Sequence, residues 1–303
     1  MLRLIAKLDI KGPNLIKGVQ YEGNRVLGHA EAFSRRYYEE LIDEIVYQDA
    51  VASLYRRNSL TEIVASSSKG CFIPLTVAGG IRSVENARTV LLAGADKIGV
   101  NTAALENPHL ITALSRAFGR QCVVVVVESF RDGKIWNCWK NYGRDRTDRD
   151  VLDWVTHAQD LGAGEVLLSS VDRDGLGQGF DLELAAKVVE LLEIPVLISG
   201  GAGSIDDIVT AARIAKPDGI VLSSVLHYYY ATPQRNPTLN FKDAALRLGA
   251  NVDSGNVDFL REGYGGDRSL YVNPASVINI KNALLAANIQ VRVPKPANEV
   301  RHA

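Results

Sequence analysis

The sequence predicts an α/β protein folded as a closed (βα)8 barrel (the TIM-barrel architecture), made of two tandem half-barrels. Three observations predict it: eight short apolar runs, helical segments between them, and an internal repeat. The chain of 303 residues is long for one domain, yet barrels of about 250 residues fold as single units. One domain over 1–303 is therefore expected.

The first run, residues 2–8, leads to Asp9 and is the first buried strand. Runs at 44–47, 73–77, 97–100, 122–127, 165–169, 195–198 and 219–222 follow. None shows polar alternation, so each suits a parallel strand covered on its faces. Segments 84–92, 150–161 and 181–192 carry the apolar spacing of outer helices. The repeat selects a barrel over an open sheet. Asp43-Glu44-Ile45-Val46 is answered by Gly164-Glu165-Val166-Leu167, and 165 − 44 = 121. Val77-Ala78-Gly79-Gly80-Ile81 is answered at the same offset by Ile198-Ser199-Gly200-Gly201-Ala202. Two four-strand halves close naturally on one another, whereas an open sheet has no reason to repeat. The pattern stops after His227. Residues 228–271 read as an insertion in the loop after strand 8, with a helix near 241–248. A last helix is expected over 274–287, and the polar tail 294–303 is expected to be disordered.

A net charge of −1 argues against nucleic acid or a membrane as partner, because both need a strong basic surface. Cys71, Cys122 and Cys138 are odd in number and form no CxxC pair, so reduced thiols in a cytoplasmic protein are expected. The first ten residues carry Arg3, Lys7 and Asp9, which speaks against a signal peptide or a membrane span. No cofactor is expected.

The chemistry-bearing residues fall after the strands. Gly79-Gly80 and Gly200-Gly201 follow strands 3 and 7, where glycine lets backbone amides approach an anion. Asn101-Thr102 follows strand 4 and Ser223-Ser224 follows strand 8, while Ser199 precedes the second glycine pair. Each half thus carries the composition of a phosphate cradle. Asp9 ends strand 1 and Glu128 ends strand 5, on the carboxyl-end rim where barrel enzymes hold their chemistry. Two carboxylates across a barrel mouth can divide acid and base work if their surroundings differ. Lys17 and Asp49 stand after strands 1 and 2 as candidate substrate contacts, and Asp174 stands in the loop after strand 6. The acidic run Asp172-Arg173-Asp174-Gly175 has no histidine beside it and no metal-cage spacing, so no metal site is expected. Arg3, Glu44, Lys97 and Glu165 enter strands 1, 2, 4 and 6, and two charges of each sign can close an ion-pair ring at the barrel floor.

These residues, with Leu8-Asp9-Ile10-Lys11, Leu15-Ile16-Lys17-Gly18, Gly94-Ala95-Asp96-Lys97 and Ser170-Val171-Asp172-Arg173-Asp174-Gly175, resemble the cyclase subunit of imidazole glycerol phosphate synthase. The resemblance covers about 1–227 and resumes in the last helix. It implies a lyase of histidine biosynthesis. Ammonia from a glutaminase subunit, docked on the amino-terminal face, attacks a phosphoribulosyl-formimino aminoimidazole carboxamide ribotide, giving imidazole glycerol phosphate and the aminoimidazole carboxamide ribotide. A substrate with two phosphates accounts for two cradles. The family's two catalytic aspartates fall on Asp9 and Glu128, and its ammonia gate falls on Arg3, Glu44, Lys97 and Glu165. The departures are Glu128 for aspartate, Ser129-Phe130 for a small-basic pair, Leu176 for threonine, Gly12-Pro13 in the first loop, Gly28-His29-Ala30 for Gly-Asp-Pro, and the insertion. They leave room for a paralogue relaying ammonia to sugar amidation in surface-polysaccharide synthesis, for a sister-pathway isomerase, and for a non-catalytic activator of a glutaminase.

Overall fold

The computed structural model describes residues 1–52, 61–231, 235 and 272–293. Eight parallel strands close into a barrel in the order β1 (Arg3–Lys11), β4 (Glu44–Asp49), β5 (Leu75–Ala78), β6 (Lys97–Val100), β7 (Val123–Asp132), β10 (Glu165–Ser170), β11 (Val196–Ser199) and β12 (Gly219–Leu222). Pairing of β7 with β10 and of β12 with β1 completes the circle. All eight expected runs are strands, with bounds shifted by up to five residues where β1 and β7 run on beyond the rim.

Period-two alternation sorts side chains into two cores. On β1, Leu4, Ala6, Leu8 and Ile10 face outward and pack under the helices. Ile5 faces inward and joins Val46, Ala78, Val124, Val126, Leu167, Leu197 and Val221 in a filled interior. The expected helices form at Val84–Leu92, Val151–Asp160, Leu182–Leu191 and Val277–Ala286. Ser83 and Ser204 cap equivalent helices in the two halves with nearly the same backbone angles. Asp96 and Asp218 likewise each accept an amide at the start of the preceding strand, Leu75 N–H at 2.8 Å and Val196 N–H at 2.9 Å. The last helix is tied to the floor by Lys281, whose Nζ lies 2.7 Å from Asp43.

The sequence reading did not include two antiparallel hairpins. β1 continues through a turn at Gly12 into β2 (Asn14–Val19) and β3 (Glu22–His29). β7 continues through a turn at Gly133 into β8 (Ile135–Lys140) and β9 (Asp145–Asp150). Both glycines have φ of 63°, a left-handed conformation glycine adopts without strain. The hairpins rise at equivalent places in the two halves and bend over the mouth. Of the expected insertion at 228–271, all but residues 228–231 and 235 lies outside the described residues, as do the helix expected near 241–248 and the tail 294–303.

Candidate active site

Asp9 and Glu128 both stand at the carboxyl-end mouth and are almost fully buried. Their strands are on opposite sides of the barrel, so the two half-barrels each contribute one carboxylate. The Glu128 Oε2 accepts the Gly143 amide at 2.8 Å, an anchor provided by the second hairpin. Burial pushes the Glu128 carboxyl up to about 7, against the pull of that amide, the Lys7 charge and Asn101, while the charge of Asp9 adds to the rise. Asp9 lies 2.9 Å from the ammonium of Lys7, itself buried. Burial alone would lower Lys7, but Asp9, Tyr21 and Asp174 outweigh it and hold the ammonium above the ordinary lysine value.

Tyr21 and Tyr142 close the mouth over these groups. Their rings stack with centroids 4.4 Å apart and planes within 17°. Each ends a pair of residues with positive φ, Gln20-Tyr21 and Asn141-Tyr142, at the bend of its hairpin. Tyr21 also lies against Lys7, with the hydroxyl at 3.5 Å and the ring centroid at 4.8 Å from Nζ. With Ile16, Ala50 and Val171 the two tyrosines form a third apolar cluster, separate from the barrel interior.

The expected cradles flank this centre. Gly79 and Gly200 have φ of 99° and 92°, and a Cβ at either would meet a carbonyl oxygen at 2.8 Å (Asp49) or 2.5 Å (Ser170). Only glycine satisfies both the angle and the approach. Asn101 and Ser223 begin the short helices Thr102–Glu106 and Ser224–Tyr230 with matching backbone angles, and neither side chain caps its helix. In both, the residue before the helix takes the first bonds: Ala104 N–H donates to the Asn101 carbonyl at 2.9 Å and Leu226 N–H to that of Ser223 at 3.0 Å. The first cradle opens into a cavity of about 320 Å³ lined by Asp49, Gly79, Gly80, Asn101, Thr102, Glu128 and Tyr142. The second, holding Asp174, Ser199, Gly200, Gly201, Ser223 and Ser224, is far tighter, about 10 Å³.

Lys17, expected as a substrate contact, lies within β2, is buried, and has its Nζ 2.6 Å from Asp174. That pair, with Gln20 N–H donating to the Asp174 carbonyl at 2.9 Å, fastens the first hairpin against the second cradle. The Asp49 carboxylate accepts the Val51 amide at 3.0 Å, and the Thr102 hydroxyl accepts that of Asn141 at 2.9 Å.

At the opposite end the four floor charges form a closed ring. Arg3 contacts Glu44 at 2.7 Å and Glu165 at 2.5 Å, and Lys97 contacts Glu44 at 3.0 Å and Glu165 at 3.1 Å. Every carboxylate thus bridges both cations.

Lys7, Tyr21, Tyr142 and Gly143 are site residues that sequence reasoning missed. Lys7 is two residues from Asp9 and so on the same strand face, which was a usable signal. Tyr21 and Tyr142 are separated by the same period as the glycine pairs, and Asp132-Gly133 is a hairpin signal.

Comparison with known proteins identifies the family. The family described as "Histidine biosynthesis protein" matches residues 3–232. The imidazole glycerol phosphate synthase subunit HisF of Legionella pneumophila is 50% identical over 208 residues, 68% of this chain and 98% of that protein. Those of Myxococcus xanthus and Dehalococcoides mccartyi (strain BAV1) are 43% and 39% identical, over 74% and 81% of this chain and 89% and 98% of theirs. No helix among the described residues is long and apolar enough to cross a membrane. The chain belongs to the histidine-biosynthesis protein family.

Proposed function

We propose that this chain is the cyclase subunit of imidazole glycerol phosphate synthase, a lyase of histidine biosynthesis that uses ammonia from a glutaminase subunit. The observation that carries the reading is the buried Asp9 and Glu128 pair between two matched glycine cradles at one barrel mouth. The cradles hold the two phosphates of the ribulosyl ribotide, Gly79, Gly80, Asn101 and Thr102 at one end, Ser199, Gly200, Gly201, Ser223 and Ser224 at the other. Asp49, Lys17 and Asp174 border them. A substrate so tethered lies across the mouth, with its reacting centre near the carboxylates.

Addition of ammonia to the ketose carbonyl needs one group to protonate the oxygen and one to take a proton from nitrogen. Glu128, part protonated near neutrality, is the donor; Asp9, ion-paired to Lys7, is the acceptor. Ammonia enters at the ring of Arg3, Glu44, Lys97 and Glu165 and passes through the apolar interior. The glutaminase docks on that amino-terminal face. Met1, Leu41, Phe72, Leu92, Leu191 and Ile214 are exposed there, at strand entrances and helix ends, as an apolar partner surface requires. HisF relatives matching along nearly all of their own length favour this reading over sugar amidation, isomerisation or a purely activating role.

The test is turnover of the ribulosyl ribotide with ammonium salt, followed by absorbance. Wild type is expected to turn over, and Asp9→Asn to lose turnover by about 10³-fold with KM nearly unchanged. Undiminished turnover in Asp9→Asn refutes the role of Asp9, and an inert wild type refutes the cyclase reading.

A further inference from the structure

We infer that Lys7 is a positioning residue of this same site, resting on the cyclase reading: its ammonium keeps the Asp9 carboxylate anionic so that Asp9 and Glu128 divide into base and acid. On β1 the inward side chains climb from Arg3 in the floor ring, through Ile5 in the apolar layer, to Lys7 and then Asp9. Lys7 is thus the step between the barrel interior and the mouth. It is 2% exposed, its Nζ lies 2.9 Å from Asp9, and the Tyr21 ring and hydroxyl cover it from above.

The titratable groups around it are Asp9 on its own strand, Tyr21 and, stacked on it, Tyr142 on the two hairpins, Glu128 on β7, Asp174 in the loop after β10, and His227 on the helix after β12. Lys17 neutralises Asp174 at 2.6 Å, and burial with the charges of Lys17 and Lys7 holds His227 down near 3, so it carries no charge at neutrality. That leaves two buried carboxylates and one buried cation at the mouth. Two buried carboxylates that sense each other do not both ionise freely. A cation set on one of them breaks the tie: Asp9 keeps its charge and Glu128 keeps a proton. Lys7 itself does not act as an amine nucleophile, since its ion-paired nitrogen stays protonated and has no lone pair to offer.

Two readouts test the assignment separately from the cyclase reading. In the purified chain with specifically ¹³C-carboxyl-labelled aspartate, the Asp9 titration in Lys7→Met is expected to move up by at least about one pH unit relative to wild type. This readout needs no turnover. With ammonium salt and the ribulosyl ribotide, Lys7→Met should lose about 100-fold in kcat with KM within about threefold, and the acidic limb of the kcat profile should move up with the NMR titration. Lys7→Arg should restore at least a tenth of wild-type kcat. An unmoved Asp9 titration overturns the inference even if wild type is an active cyclase. So does a Lys7→Met enzyme with wild-type kcat, or one whose loss Lys7→Arg does not relieve. An inert wild type with a shifted Asp9 titration would sink the cyclase reading and leave the Lys7–Asp9 coupling standing.

Discussion

Glu128 shows how one residue's surroundings set its chemistry. Its carboxyl is lifted to about 7 from an ordinary 4.5, with burial as the main cause. The folded protein therefore favours the neutral form. The stability this gives is whole below the ordinary value and is lost as pH rises through about 7. Glu128→Gln fixes a neutral side chain of the same size. At pH 8 the variant should be more stable than wild type, by up to about 3 kcal/mol for a shift of this size, and at pH 4 the two should melt alike. Thermal denaturation at both pH values checks it; equal melting differences at the two would show that Glu128 is not held neutral by burial. The same variant should lose turnover by at least about 10²-fold, and wild-type kcat should fall as pH rises through about 7, as the donor role proposed for the protonated form requires. Asp9 and Glu128 were legible in the sequence because each ends an apolar strand at the functional rim. Lys7 was not, because a lysine in a strand reads as a charge reaching for water, and only its face-sharing with Asp9 says otherwise.

At the scale of elements, the eight strands and the outer helices were readable because burial on both faces leaves unbroken apolar runs. The hairpins were not. β3 and β9 are largely exposed and mostly polar, so they resemble loops, while β2 and β8 are short buried runs with no helix following them to mark them as strands. The repeat carried the missing information, because Gly12 and Gly133, and Tyr21 and Tyr142, recur at the period of the glycine pairs. The consequence is a lid made of two like parts. Its ring stack is worth about 1 kcal/mol beyond simple burial. Tyr142→Ala should open the mouth to water and relax the burial that raises Glu128. The alkaline limb of the kcat profile should then move down by about one pH unit toward ordinary glutamate. A pH profile of the variant measures it, and an unmoved limb would mean that the barrel wall, not the tyrosine pair, keeps Glu128 dry.

The whole molecule holds two charged clusters along its length, the four-charge ring at the floor and the buried Asp9, Lys7 and Glu128 at the mouth. The four-charge ring is closed in every link, so ammonia passing from the floor to the mouth must part at least one of them. Lys97→Met removes two of the four links and leaves Glu44 and Glu165 sharing Arg3 alone. Ammonium salt in bulk reaches the mouth without crossing the floor, so ammonium-dependent turnover should stay within about twofold of wild type. Glutamine-dependent turnover in the complex with the glutaminase should fall by about tenfold or more, as ammonia leaks at a broken entrance while glutamine hydrolysis continues. The two rates, measured on one preparation, distinguish passage from support. If both fall together, the ring is holding the barrel shut; if neither falls, ammonia takes another route. Phe72→Asp on the same face separates docking from passage: it should weaken the complex by at least about tenfold while leaving ammonium-dependent turnover untouched, because Phe72 is exposed and far along the chain axis from Asp9 and Glu128.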